Sequence, residues 1–136
     1  MTPRPKIKSG MYATKTRVPI ERTQAEIMRL LLKYGASSQA IFNERGRVAV
    51  GFALHGVSVK IVLEPMPDDP QQIKQRWRAL LLSLKANLEM IHLGVRTVEQ
   101  QFMGDLLLSD GKTVSEHVNP QIAAGNLRLL SSRNGK

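Results

Sequence analysis

RVAVGFALHGVSVKIVL, residues 47–63, is the stretch whose reading decides the fold. Val48, Val50, Phe52 and Leu54 alternate with Ala49, Gly51 and Ala53, and Val57, Val59, Ile61 and Leu63 alternate with Ser58, Lys60 and Val62. A period of two is the signature of a strand with one buried face. His55-Gly56 between the two runs is a two-residue hairpin turn, which pairs Leu54 with Val57 and so sets every other pair. The pairs 48/63, 50/61, 52/59 and 54/57 then form one wholly apolar face. The opposite face carries Arg47/Glu64, Ala49/Val62, Gly51/Lys60 and Ala53/Ser58. A slip of one residue would mix the two faces, so the register is well specified.

Upstream, a strand around Gln39–Asn43, turning through Glu44-Arg45-Gly46, would complete a three-stranded antiparallel meander. Before it, Thr23-Gln24-Ala25-Glu26 has the spacing of a capping box. Ile27, Leu30, Leu31 and Tyr34 follow at helical spacing, and Gly35 supplies a stop. Downstream, Pro65–Pro70 is a break, and Asp69-Pro70 opens a long helix with Asp as N-cap and Pro at N1. Ile73, Trp77, Leu80, Leu81, Leu84, Leu88 and Ile91 form one apolar arc on that helix. Ala79, Leu82, Ala86, Met90 and Leu93 form another, on a different side. A helix apolar on two sides is either wedged between layers or shared with a partner, unless the C-terminal third folds back to cover it. Thr97-Val98-Glu99-Gln100 opens a helix through about Leu107, and Thr113-Val114-Ser115-Glu116 opens a short one broken near Pro120, with an Asp110-Gly111 turn between them.

The expected fold class is therefore α+β: an N-terminal helix, a three-stranded antiparallel meander, then a long helix and two shorter helices packed on the sheet. Residues 20–125 make one domain, flanked by a flexible basic arm (1–19) and a basic C-terminal tail (126–136). A chain of 136 residues is long enough to bury a core unaided. The absence of cysteine excludes a disulfide framework and fits a reducing compartment. The apolar runs are too short to cross a bilayer, and the basic start is not followed by the apolar run of a signal peptide. A transit peptide is the weaker reading of residues 1–20.

The net charge of +9 is concentrated at the ends. Residues 1–20 hold Arg4, Lys6, Lys8, Lys15 and Arg17 with no acid, and residues 117–136 hold Arg128, Arg133 and Lys136 with no acid. Twelve bases and eleven acids share the middle. Lysines and arginines on terminal segments track a polyanion without fixed geometry, although solubility or an acidic protein partner would select the same pattern. On the outer hairpin face, Ala49, Gly51, Ala53 and Ser58 leave a nearly flat surface edged by Arg45, Arg47 and Lys60. That surface suits either a nucleic-acid strand or a packed helix, the latter with Arg47 simply paired to Glu64.

No residue set reads as an active site. Ser109-Asp110-Gly111-Lys112-Thr113 looks like the end of a phosphate loop, but the required earlier glycine is Leu106. His55, His92 and His117 are scattered rather than at metal-ligand spacing, so no metal or other cofactor is expected. Ser115-Glu116-His117 are neighbours in sequence, which is not what makes a triad. Of the six aromatics (Tyr12, Tyr34, Phe42, Phe52, Trp77 and Phe102), Trp77, Phe52 and Tyr34 point to the core, and Tyr12 and Phe42 are the candidates to stack bases. Backbone-directed binding suits this composition better than base readout.

Three stretches carry a family resemblance: Val18–Ile27 with Lys33–Ala36, Arg76–Leu82 with Lys85-Ala86, and Leu108–Val114. In these the chain resembles a loosely defined set of small uncharacterised proteins encoded by bacteriophages and prophages. The resemblance implies a mobile-element origin and a bacterial cytoplasm. The expectation is a non-enzymatic accessory nucleic-acid-binding protein, sequence-tolerant, acting in replication, recombination or regulation. Its contacts would come from Arg4, Lys6, Lys8, Lys15, Arg17, Arg45, Arg47, Lys60, Arg128 and Arg133. The alternative is a protein-interaction module, self-associating or binding a host protein through the helix at 71–93, with no membrane partner in either case.

Overall fold

The computed structural model describes residues 3–44 and 46–132, with side chains from Arg17 onward except Glu44. The chain runs α1 (Pro3–Lys33), β1 (Ser37–Glu44), β2 (Arg47–Leu54), β3 (Val57–Leu63), α2 (Pro70–His92), α3 (Val98–Gln101), a 3-10 turn (Met103–Asp105) and α4 (Val114–Ala123). This is the α+β order expected from the sequence, with an antiparallel sheet in the order β1-β2-β3.

The hairpin forms in the anticipated register, from Val48 opposite Leu63 to Leu54 opposite Val57. Its turn places His55 and Gly56 at φ of +50° and +77°, the two left-handed positions of a type I′ turn. β1 is longer than the Gln39–Asn43 core read from the sequence and includes a bulge between Ser37 and Ala40, with Ser38 at φ +56°.

One sheet face packs on α1 and α2. Ile27 and Leu31 from α1, Trp77, Leu81, Leu84 and Leu88 from α2, and Val50, Phe52, Leu54 and Val59 from the sheet form a single core. Val98 and Phe102 extend it beyond the sheet, where the Phe102 ring meets Phe52 edge-on at 5.5 Å. α2 is capped as the sequence predicts: Asp69 accepts from the Gln71 N–H at 3.2 Å, Pro70 follows, and Gly94 closes the far end.

Several boundaries differ from the sequence reading. Thr23 is not a helix start. α1 is helical back to Pro3, so the backbone expected as a flexible arm is helical too, and Pro19 lies within the helix. The buried Thr23 hydroxyl instead donates to the Pro19 carbonyl one turn earlier, 3.0 Å away. The helix opened by Thr97 ends after four residues rather than near Leu107. Tertiary pairing overrides local propensity there. Leu106 and Leu107 lie extended against the outer edge of β3, with the Leu107 N–H donating to the Ser58 carbonyl at 2.9 Å. α4 continues through Pro120, since proline's fixed φ is compatible with a helix and costs one hydrogen bond on an exposed face. Thr97 and Thr113 both make the complete capping boxes expected of them.

Among the described residues, the C-terminal third does not cover the second apolar arc of α2. Leu82 and Leu93 are 58% and 64% exposed, and Ala79 and Ala86 face solvent with them.

Candidate nucleic-acid interface

Two surfaces carry the residues singled out by the sequence. The first is α1. It has eight bases against two acids, so a net +6 of the chain's +9 resides in one helix. Arg17, Arg22, Arg29 and Lys33 are exposed, and none takes an ion pair among the described residues. Arg22, Arg29 and Lys33 stand at i, i+7 and i+11, one face of a helix. Arg22 and Arg29 were missed because the middle of the chain balances overall. Only the extent of the helix joins them to the basic N-terminal stretch. The side chains of Arg4, Lys6, Lys8 and Lys15 lie outside the described residues, as do Arg45 and Arg133, while Arg128 is exposed in the C-terminal tail.

The second surface is the outer face of the sheet. The 106–113 segment and α4 cover one end of it and leave the rest open. Leu106 is bridged to Val59, Leu107 to Thr113, and the Leu108 N–H donates to the Lys112 carbonyl at 2.8 Å. α4 begins directly after this small hairpin and sits tight on the 3-10 turn. A Cβ on Gly104 would stand 2.6 Å from the Ser115 hydroxyl oxygen. Asp110 shapes the turn by accepting from the Lys112 N–H at 2.9 Å, and its other oxygen lies 2.7 Å from His117 Nε2. The Lys112 N–H, with help from His117, holds the Asp110 carboxyl below its ordinary range.

Beside α4 is a polar groove of about 510 Å³. Arg47, Lys60 and Lys112 line it together with Glu64, Asp105 and Glu116, so its charge is balanced. Arg47 bonds Glu64 at 3.0 Å and reaches Glu116 at 3.6 Å. Glu116 also accepts from the Thr113 N–H at 2.7 Å, which with the Arg47 guanidinium lowers its pKa. Burial raises that of Asp105. Arg47, expected as a phosphate contact, lies within ion-pair reach of two carboxylates. Its pairing with Glu64 was legible across the hairpin. The pairing with Glu116 was not, because it depends on where α4 docks.

Farther along the same face lies a more apolar groove of about 380 Å³. Its floor is Gly51, Ala53 and Ser58, its walls are Phe42 and Leu107, and among the described residues Lys60 is the one charged member of its lining. Among the described residues no helix packs over Gly51.

Ser115, Glu116 and His117 do not act together, since Glu116 serves the Thr113 cap and Arg47 while His117 meets Asp110. Among the described residues no group of three or more His, Asp or Glu could hold a metal ion. No described helix is long and apolar enough to cross a membrane. No family model, curated protein or solved structure matches the chain.

Proposed function

We propose that this chain is an accessory nucleic-acid-binding protein that grips the phosphate backbone through α1, with the C-terminal tail as a second contact. The observation that carries the reading is the segregation of uncompensated charge. One helix holds most of the net positive charge, and the hairpin arginine is neutralised by Glu64 and Glu116. A row of exposed bases on one helix face engages phosphates wherever they lie and reads little sequence. By helical spacing Arg4, Lys8 and Lys15 fall on the same face as Arg22 and Arg29 and are assigned to that row, whereas Lys6 and Arg17 fall on the opposite side of the helix, and Arg128 and Arg133 belong to the tail. The hairpin contributes Lys60 rather than Arg47. The chemistry of the chain requires no cofactor in this role and assigns no catalytic residue. With the resemblance to phage and prophage proteins, the role falls in replication, recombination or regulation within a bacterial cytoplasm.

The test is fluorescence anisotropy with labelled duplex DNA, single-stranded DNA and RNA at low salt. Binding to at least one that weakens steeply with salt supports the reading, and flat weak signals on all three would sink it.

A second reading rests on a separate observation, the exposed arc of Ala79, Leu82, Ala86 and Leu93 on α2. That arc suits a second copy or a host protein as partner. Concentration-dependent mass in sedimentation velocity would favour self-association, and a strict monomer at high concentration would count against it.

A further inference from the structure

We propose that the apolar groove on the outer sheet face is a slot for one unpaired nucleotide, with the base against Phe42 and the phosphate on Lys60. The inference rests on the nucleic-acid reading above and adds a strand preference to it.

Phe42 is 45% exposed, which is unusual for a ring on a sheet. Its position is fixed by Gly51: a Cβ there would lie 3.0 Å from the ring's Cε2, so the ring rests in the space that a side chain would fill. β1 places Phe42 opposite Ala49 and next to Gly51, and β3 places Lys60 directly opposite Gly51 on the other side. Aromatic platform and ammonium group therefore flank one bare stretch of backbone.

Leu107 closes the groove from the side opposite Phe42, held there by its N–H bond to the Ser58 carbonyl. The volume, about 380 Å³, is in the range of small-ligand sites. Lys60 takes no ion pair among the described residues, so its charge is available to an anion. An apolar walled slot with an aromatic face and, among the described residues, one unpaired cation matches a base and its phosphate. The Ser38 and Ser58 hydroxyls at its rim both donate and accept, which tolerates any base.

Two consequences follow from the walls and the neighbouring charges. A base must leave its stack to enter between Phe42 and Leu107, so the slot admits single strands and not duplex. Beyond Lys60 the adjoining groove is balanced in charge, with Glu64 and Glu116 already paired to Arg47, so it offers no net attraction to a further phosphate.

The experiment is anisotropy with labelled oligothymidylate and with a labelled duplex, on the full chain and on Phe42→Ala, Phe42→Leu and Lys60→Gln, each checked for folding by circular dichroism. Loss of the ring in either Phe42 variant should weaken the single strand about five- to hundredfold, the worth of one stacked base, with the salt slope unchanged. Lys60→Gln should flatten the single-strand slope by about 0.7, one phosphate contact. Duplex affinity should stay the same in the Phe42 variants. Folded variants that bind oligothymidylate like the parent would overturn the slot while leaving the α1 reading intact. Failure of the parent chain to bind either probe would overturn both.

Discussion

Leu82 and Leu84 are two residues apart on α2, yet replacing each by Ala should have very different consequences. Leu84 is fully buried between α1 and the sheet, whereas Leu82 is 58% exposed. Leu84→Ala removes buried methyl groups and leaves a cavity in a packed core, a loss of about 3–4 kcal/mol. For a chain of this size that lowers the melting temperature by roughly 10–15 °C. Leu82 gives up less than half of a full leucine burial, about 1 kcal/mol at most, and alanine's helix propensity offsets part of it. The net for Leu82→Ala is about 0.5 kcal/mol. Urea unfolding at micromolar protein gives both values from the midpoint at constant slope. A cost above about 2 kcal/mol for Leu82→Ala in a monomeric sample would show that something within the chain covers the arc. A cost that appears only at high protein concentration would instead show self-association through it.

Further outcomes follow from the same contacts. Thr113→Ala removes the side chain that caps α4 and accepts from the Glu116 N–H, and should destabilise the protein by about 1 kcal/mol in urea unfolding. Arg47→Gln should leave nucleic-acid affinity within about twofold and the salt slope unchanged, because the guanidinium is already satisfied by Glu64 and Glu116. A slope reduced by about 0.9 on duplex would return Arg47 to the interface. Stability should also depend on pH in opposite senses for two acids. Glu116 has its pKa lowered by folding, so its contribution is present above the ordinary carboxylate range and is lost as pH falls through its folded value. Glu116→Gln should flatten that acid limb. Asp105 has its pKa raised by burial, so ionising it weakens the fold as pH rises, and Asp105→Asn should remove that decline. Urea midpoints across the acid range measure both.

The sheet was legible because its two signals, strict alternation and a His-Gly turn, are local and agree with each other. α2 was legible for the same reason, with Asp69-Pro70 at one end and Gly94 at the other. α1 was read too short because residues 1–20 lack apolar periodicity and contain Gly10 and Pro19, both of which argue against a helix. The extended pairing of Leu106 and Leu107 with β3 could not be read locally, since the unfilled edge of β3 dictates it. The groove was half visible. The small residues at 49, 51, 53 and 58 announced a bare face, and Phe42 was one of the two aromatics singled out as candidates to stack bases. Their juxtaposition needed the register of β1, which places Phe42 beside Gly51.

The central claim is that the bases of α1 hold a phosphate backbone. Its most direct test is the salt dependence of duplex binding by the full chain and by a variant with Arg4, Lys6, Lys8, Lys15 and Arg17 all replaced by Gln. Arg4, Lys8 and Lys15 share the face of Arg22 and Arg29 by helical spacing, and three phosphate contacts predict that the parent's slope of log affinity against log salt exceeds the variant's by about 2.7 in magnitude. Equal slopes for the two proteins would contradict the claim.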